Sequence, residues 1–165
     1  MKFKLIALLT VIAFTFSSCG GEKKEAKPSK KQPVKKEVQK EEVKVDASKI
    51  DLMAPTLDNK GIGPIKNITL GDIDQGMVAK GKEVYKTNCT ACHKFKKRYI
   101  GPALKGITGR RSPEWIMNMI LNSDEMLKKD PVAKALITEY NAPMAQQQIS
   151  VEEARSIVEY FRTKN

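Results

Sequence analysis

The chemistry-bearing residues of this 165-residue chain are concentrated in one short motif, Cys89-Thr90-Ala91-Cys92-His93. The pattern Cys-x-x-Cys-His is the attachment signature of a c-type haem. Two thiols about one helical turn apart can add across the two vinyl groups of one porphyrin. The imidazole of the following histidine can then bind the iron as the proximal ligand. The motif therefore predicts one haem, held covalently by Cys89 and Cys92 and coordinated by His93.

Three other kinds of site use the spacing Cys-x-x-Cys. A thioredoxin-like redox pair is expected beside a βαβ pattern, and the sequence has no strand-like alternation here. A closed structural zinc site needs four Cys or His ligands, whereas the chain has three Cys and one His, and Cys19 is expected to serve elsewhere. A structural disulfide would leave His93 without a role. Haem attachment accounts for both cysteines and the histidine.

The single histidine also restricts the sixth ligand of the iron. With His93 on one side, the other ligand is methionine, a weaker donor such as lysine, or nothing. Met144 is the preferred candidate, because it follows Pro143 in a loop between two predicted helices and can lie over the haem without breaking either helix. Met117 and Met119 lie on a predicted helix, where core packing is the expected role. Met/His ligation raises the reduction potential and suits an electron carrier.

The N-terminal residues predict export and attachment to a membrane. Residues 1–19 read as a secretory signal, with a positively charged start, an apolar run and small residues before Cys19. Residues 16–20 (FSSCG) resemble the lipobox of bacterial lipoproteins, which implies that Cys19 becomes the acylated first residue. Ordinary signal cleavage is the alternative. We expect a periplasmic protein anchored by lipid to the inner or the outer membrane.

Residues 20–49 are rich in Lys and Glu and contain no aromatic residue, so they predict a disordered tether. More than half of the net charge of +11 lies in residues 1–49. Because these residues are not expected to fold, the high net charge does not indicate nucleic-acid binding.

The remaining residues predict a small all-helical domain, 74–165, preceded by an irregular lead-in, 50–73. The lead-in is rich in Gly and Pro, and its apolar side chains are expected to pack on the domain: Ile62, Ile65, Ile68 and Leu70. Helix starts are predicted from capping residues. They lie at Asp74, Ser112-Pro113, Asp130-Pro131 and Ser150-Val151-Glu152-Glu153.

From about Met77 to Arg162 the chain resembles a class I cytochrome c. About seventy residues follow His93, whereas the four-helix class II cytochromes carry the haem motif near the C-terminus. The features that carry the resemblance are Gly81 and Tyr85, the motif 89–93, the Gly-Pro-x-Leu-x-Gly-Ile-x-Gly-Arg run 101–110, Met144, Ile157 and Tyr160.

The resemblance implies the small all-α class I cytochrome c fold around one covalent haem c. It implies that the first and last helices cross, with Gly81 and Tyr85 packing against Ile157 and Tyr160. It also implies that the carbonyl of Pro102 accepts a hydrogen bond from the proximal histidine and so orients the ligand.

Eight basic residues and no acidic residue lie between Glu83 and Glu114. Haem edges in this fold are exposed near such segments, so this surface is expected to steer an acidic redox partner. A solvated charged face and neutralisation of the haem propionates are the alternatives. The residues chosen for partner docking are Lys94, Lys96, Lys97, Arg98 and Lys105.

The expected function is that of a single-haem electron carrier between respiratory partners, with no catalytic residues and no small-molecule substrate. One alternative is an open iron site that binds a gas or peroxide, although the absence of a second histidine argues against peroxidase chemistry. Another is a haem subunit of a larger reductase or oxidase.

Overall fold

The computed structural model describes residue 46 and residues 49–165, which all belong to one compact unit, 42–165. The predicted signal peptide with Cys19, and the predicted tether apart from residues 46 and 49, lie outside the described residues. In the part of the chain that is described, no helix is both long and apolar enough to cross a membrane.

The described residues form six α-helices and no β-strand, which confirms the all-α prediction. The helices are α1 (Gln75–Asn88), α2 (Ile107–Arg110), α3 (Pro113–Leu121), α4 (Ser123–Lys129), α5 (Pro131–Tyr140) and α6 (Val151–Arg162).

Side-chain caps begin four of these helices, and all four starts were predicted. Asp74, Ser112 and Asp130 each accept a backbone N–H bond in the first turn of α1, α3 and α5. Ser150 and Glu153 form the reciprocal capping box of α6. Helices α2 and α4 were not predicted, because both are short and neither has a side-chain cap.

Helices α1 and α6 cross in close contact, as the resemblance implied. A Cβ added at Gly81 would lie 1.9 Å from the carbonyl oxygen of Ser156 and 2.9 Å from the backbone nitrogen of Ile157. One turn along α1, the ring of Tyr85 lies 5.7 Å from that of Tyr160. Glycine is therefore required where the two backbones meet, and aromatic side chains fill the space beside them.

The lead-in, residues 50–73, packs on this helical core. Its predicted apolar contacts are confirmed, because Ile62, Ile65, Ile68 and Leu70 are partly buried against the core cluster. The segment has no helix or strand of its own, so its backbone groups must find partners in the helices.

Polar side chains of α3 supply several of these partners. Asn118 is fully buried, accepts from the N–H of Ile65 at 3.0 Å and donates to the carbonyls of Lys60 and Ile65 at 2.9 and 2.8 Å. Glu114 accepts from the Lys60 ammonium at 3.2 Å and from the N–H of Ile68 at 3.1 Å. Because buried polar groups are costly when unpaired, these bonds fix the course of the lead-in.

A second contact holds the start of the lead-in. Arg111 is 2% exposed, and its guanidinium donates to the carbonyls of Leu52 and Ala54 at 2.7 and 2.8 Å. The N–H of Thr56 donates to the carbonyl of Arg110 at 2.9 Å, within an isolated parallel bridge. These bonds hold residues 52–56 against the segment that precedes α3.

The crossing of α1 and α6 is tested by Gly81→Ala. An added Cβ must push α6 away, so the free energy of unfolding is expected to fall by about 1–3 kcal/mol, measured by denaturant titration of the haem-loaded protein. Gly109→Ala is the matched control, because Gly109 is also helical and an added Cβ there meets nothing within 4 Å. Equal effects of the two substitutions would contradict the close crossing.

Candidate haem site

A cavity of about 330 Å³ opens beside the Cys-x-x-Cys-His motif. Its volume lies within the range of small-molecule and cofactor sites, and most of its walls are apolar. The lining comes from the end of α1, the motif, the lead-in, the segment 98–111, helices α3–α5, the loop after α5 and one residue of α6. Lining residues include Leu52, Met53, Cys89, Cys92, His93, Pro102, Leu104, Trp115, Ile116, Met119, Ile120, Leu136, Tyr140 and Met144.

The end of α1 brings both thiols to this cavity. The N–H of Cys89 donates to the carbonyl of Tyr85 at 2.9 Å and closes the helix. The carbonyl of Cys89 then accepts from the N–H groups of Cys92 and His93 at 3.1 and 2.9 Å. Both cysteines are free thiols and both line the cavity. Burial, with a smaller contribution from Cys92, raises the pKa of Cys89 to about 11, so this thiol is protonated at neutral pH.

His93 is partly buried and lines the cavity beside the two thiols. Burial lowers its pKa, and a hydrogen bond to Pro102 offsets only part of this effect. The imidazole is therefore neutral at neutral pH, which is the form that binds a metal. Its Nδ1 lies 3.1 Å from the carbonyl oxygen of Pro102. An Nδ1–H that donates to this carbonyl leaves the Nε2 lone pair free for a metal.

The backbone of Gly101 lies against the flat face of the His93 ring. A Cβ at Gly101 would come within 2.5 Å of Cε1 and 2.9 Å of Nδ1 of His93. The N–H of Gly101 also donates to the carbonyl of Cys92 at 3.0 Å. Gly101 and Pro102 therefore fix the orientation of the imidazole from two sides. Gly101 was not among the predicted site residues, although the Gly-Pro pair after the motif was a visible signal.

The loop after α5 brings Met144 into the same cavity. Asn141 ends α5 in the left-handed conformation, with φ of 49°. Ala142, Pro143 and Met144 then line the cavity, and Met144 packs against the core. The structure therefore gathers Cys89, Cys92, His93, Pro102 and Met144 around one cavity.

Among the other described methionines, four fill the core or line the cavity. Met117 and Met126 are 1% and 0% exposed and fill the core. Met119 is also buried and lines the cavity from α3, whereas Met53 lines it from the lead-in and is largely exposed. Met119 is part of helix α3. Met144 is therefore the cavity-lining methionine that lies in a loop and also packs against the core.

The five predicted docking residues have different surroundings. Lys94 donates to the carbonyl of Thr90 at 2.7 Å and lies over the ring of Tyr99, 5.1 Å from its centroid. Lys96 and Lys97 are exposed. Lys105 is exposed at the edge of the cavity, and Arg98, also at the edge, bonds to Glu139 of α5.

Several lining residues were not predicted as part of the site. Leu52 and Met53 reach the cavity from the lead-in, about forty positions before the motif. Trp115 lines it from α3, is buried as predicted, and donates from Nε1 to Asp130 at 3.1 Å. No local sequence pattern marks these residues as neighbours of the motif.

The residues present fit a covalent haem. Two thiols lie in one compact turn, a neutral imidazole follows them with its second nitrogen held by a carbonyl, and a thioether lies in the loop that closes the cavity. Apolar walls surround these groups, as a porphyrin face requires.

The orientation of His93 is tested by Gly101→Ala. The added Cβ must displace the imidazole from Pro102, so we expect an altered absorption spectrum of the haem-loaded protein and a loss of about 1–3 kcal/mol of unfolding free energy. Gly71→Ala is the control, because an added Cβ there meets nothing within 4 Å. A variant at Gly101 with the spectrum and stability of the parent protein would refute this role.

Comparison with known proteins agrees with the site. The family model described as cytochrome c matches residues 78–164. Among solved structures, a cytochrome c from Rhodothermus marinus is 44% identical, with a TM-score of 0.60, and the match covers 61% of this chain and 88% of that one. An engineered cytochrome c from the same organism is 43% identical, with a TM-score of 0.59, covering 61% and 89%.

Another solved structure, of the engineered protein bound to a carbene intermediate, is 44% identical to this chain, with a TM-score of 0.57. The match covers 61% of this chain and 88% of that one. A comparison with curated protein sequences gives no match. The matched residues include the haem motif, all the helices from α2 to α6 and most of α1. The chain therefore belongs to the cytochrome c family, as a monohaem class I c-type cytochrome that binds one haem c covalently and acts as a haem-based electron carrier.

Proposed function

We propose that this cytochrome shuttles single electrons between respiratory redox partners, with its iron ligated by His93 and Met144. The observation that carries this proposal is the shared cavity, which is lined by a neutral imidazole, a loop methionine and the two attachment thiols. Ligation by these two residues would leave no position open for a substrate, and the bound haem would supply a one-electron change.

The residues of this chain prepare the site for a one-electron change that the bound haem supplies. The carbonyl of Pro102 holds the His93 ring in one tautomer and orientation. The thioether of Met144 would favour reduced iron and so raise the potential. Apolar lining side chains such as Leu104 and Ile120 exclude water, so few solvent dipoles must reorient when the charge changes.

A second candidate function is small-ligand chemistry at an open iron. The engineered Rhodothermus marinus protein with a bound carbene intermediate supports it, because a small reactive group is held in a cytochrome c of similar fold. In this chain the same chemistry would require Met144 to leave the iron. His93 is the single histidine of the sequence, so no second imidazole is present to transfer protons to a bound peroxide.

The proposed docking surface comprises Lys96, Lys97, Lys105 and the exposed side chains Tyr99 and Ile100. Tyr99 is 54% and Ile100 is 49% exposed, and Ile100 also lines the cavity. Exposed basic side chains together with exposed Tyr99 and Ile100 suit brief contact with an acidic redox partner, because opposite charge speeds encounter and a small apolar contact allows release.

The proposed location is the periplasmic side of a bacterial membrane. The support comes from the signal-like residues 1–19 and the lipobox-like residues around Cys19, which lie outside the described part of the chain. A lipid on Cys19 would anchor the protein to the membrane. The tether 20–49 would then allow the haem domain to reach partners near the membrane surface.

The ligand assignment is tested by Met144→Ala. The oxidised parent protein is expected to have the methionine–iron charge-transfer band and low-spin iron, and the variant is expected to lose the band, because the thioether is gone. Met53→Ala is the control, since Met53 also lines the cavity but is 67% exposed. High-spin iron in the parent protein, or an unchanged band in the Met144 variant, would favour the open-site function.

The docking surface is tested by the rate of electron transfer to an anionic and to a cationic inorganic oxidant. The anionic oxidant is expected to react faster and to slow as salt is added, because screening weakens attraction beyond about 10 Å at 0.1 M salt. Lys97→Glu should reduce this difference. Lys66 is an exposed residue of the lead-in that does not line the cavity. Lys66→Glu should therefore leave the difference between the two oxidants unchanged. Rates of electron transfer that do not depend on salt would contradict the proposed docking role of this surface.

A further inference from the structure

Arg98, on the segment that follows the haem motif, makes three contacts with the end of α5. Its Nη1 donates to the carboxylate of Glu139 at 2.5 Å, and its Nη2 donates to the backbone carbonyl of Glu139 at 2.8 Å. The guanidinium carbon also lies 4.2 Å from the centroid of the Tyr140 ring. Glu139 and Tyr140 are the last two residues of α5.

These contacts are at the edge of the haem cavity, immediately before the loop that carries Met144. Arg98 and Tyr140 both line the cavity, and Met144 follows Tyr140 by four positions. Beyond Met144 the loop has a second anchor, where Gln146 donates to the carbonyl of Leu121 at 2.5 Å and accepts from the hydroxyl of Ser123. The thioether therefore lies between two points at which the loop is held.

We propose that Arg98 is a positioning residue for the sixth iron ligand. By clamping the end of α5, it holds the start of the loop 141–150 against the cavity and keeps the Met144 thioether on the iron. This inference rests on the proposed ligation by His93 and Met144. It gives Arg98 a role distinct from the docking of a partner.

The guanidinium is suited to this role because one planar group makes all three contacts. An exposed ion pair alone stabilises little, and both Arg98 and Glu139 are about half exposed. The carbonyl of Glu139, however, lies in the last turn of α5, where carbonyls lack helical donors and a positive charge is favoured. Stacking on Tyr140 adds a cation–π contact. A lysine ammonium has no planar fork and cannot reproduce the set.

The test is the rate at which carbon monoxide binds the reduced, haem-loaded protein. Carbon monoxide is uncharged, so its approach does not depend on surface charge. With Met144 as the sixth ligand, it can bind only after the thioether has dissociated from the iron. Arg98→Gln is expected to raise the rate roughly tenfold, from the combined loss of an ion pair, a helix-end bond and a cation–π contact. Arg98→Lys should give an intermediate rate. Lys134→Gln, which removes one positive charge from the exposed surface of α5, should not change it.

A double-mutant cycle separates an effect through Met144 from a general loosening. In the Met144→Ala background, Arg98→Gln is expected to have no further effect on the rate. Two results would overturn the positioning role and leave the ligation intact. Arg98→Gln could bind carbon monoxide at the rate of the parent protein, or it could raise the rate equally in the parent and in the Met144→Ala background. A parent protein that binds carbon monoxide as fast as Met144→Ala overturns the ligation itself, and the positioning role with it.

Discussion

The close crossing of α1 and α6 is the contact from which the rest of this site is built. Gly81 allows the backbone of Ser156 to approach α1, and one turn later Tyr85 packs against Tyr160. The hydroxyl of Tyr85 donates to the carbonyl of His93 at 3.1 Å. Because α1 ends where the motif begins, a shift of α6 relative to α1 would displace both attachment thiols and the proximal histidine together.

Part of the cavity wall depends on polar contacts between the lead-in and the α3 region. Asn118, Glu114 and Arg111 are buried side chains of the α3 region, and each bonds to the lead-in. Removing one of them would leave backbone groups or a partner charge without hydrogen bonds, which costs more than the bond itself contributes. These contacts bring Leu52 to the cavity wall, so a segment without helix or strand becomes part of the apolar surroundings of the haem.

Local rules account for the parts of the fold that were predicted. Asp74, Ser112, Asp130 and Ser150 start their helices with side-chain caps, and a cap depends on residues only three positions apart. Helix α4 has no side-chain cap, and its start at Ser123 could not be read in this way. The crossing at Gly81 was predicted through a family resemblance, since nothing in α1 alone states which helix will pack on it.

The sequence by itself determined the cofactor and its attachment, because the spacing of Cys89, Cys92 and His93 and the scarcity of histidine are properties of residue type and local order. Only the tertiary structure decided which distant residues surround these groups. It brought Leu52 to the cavity wall, and it paired Arg98, which had been predicted for partner docking, with Glu139. Arg98 and Glu139 are 41 positions apart. Such contacts depend on how helices and loops pack in space, and neither capping patterns nor periodicity carries that information.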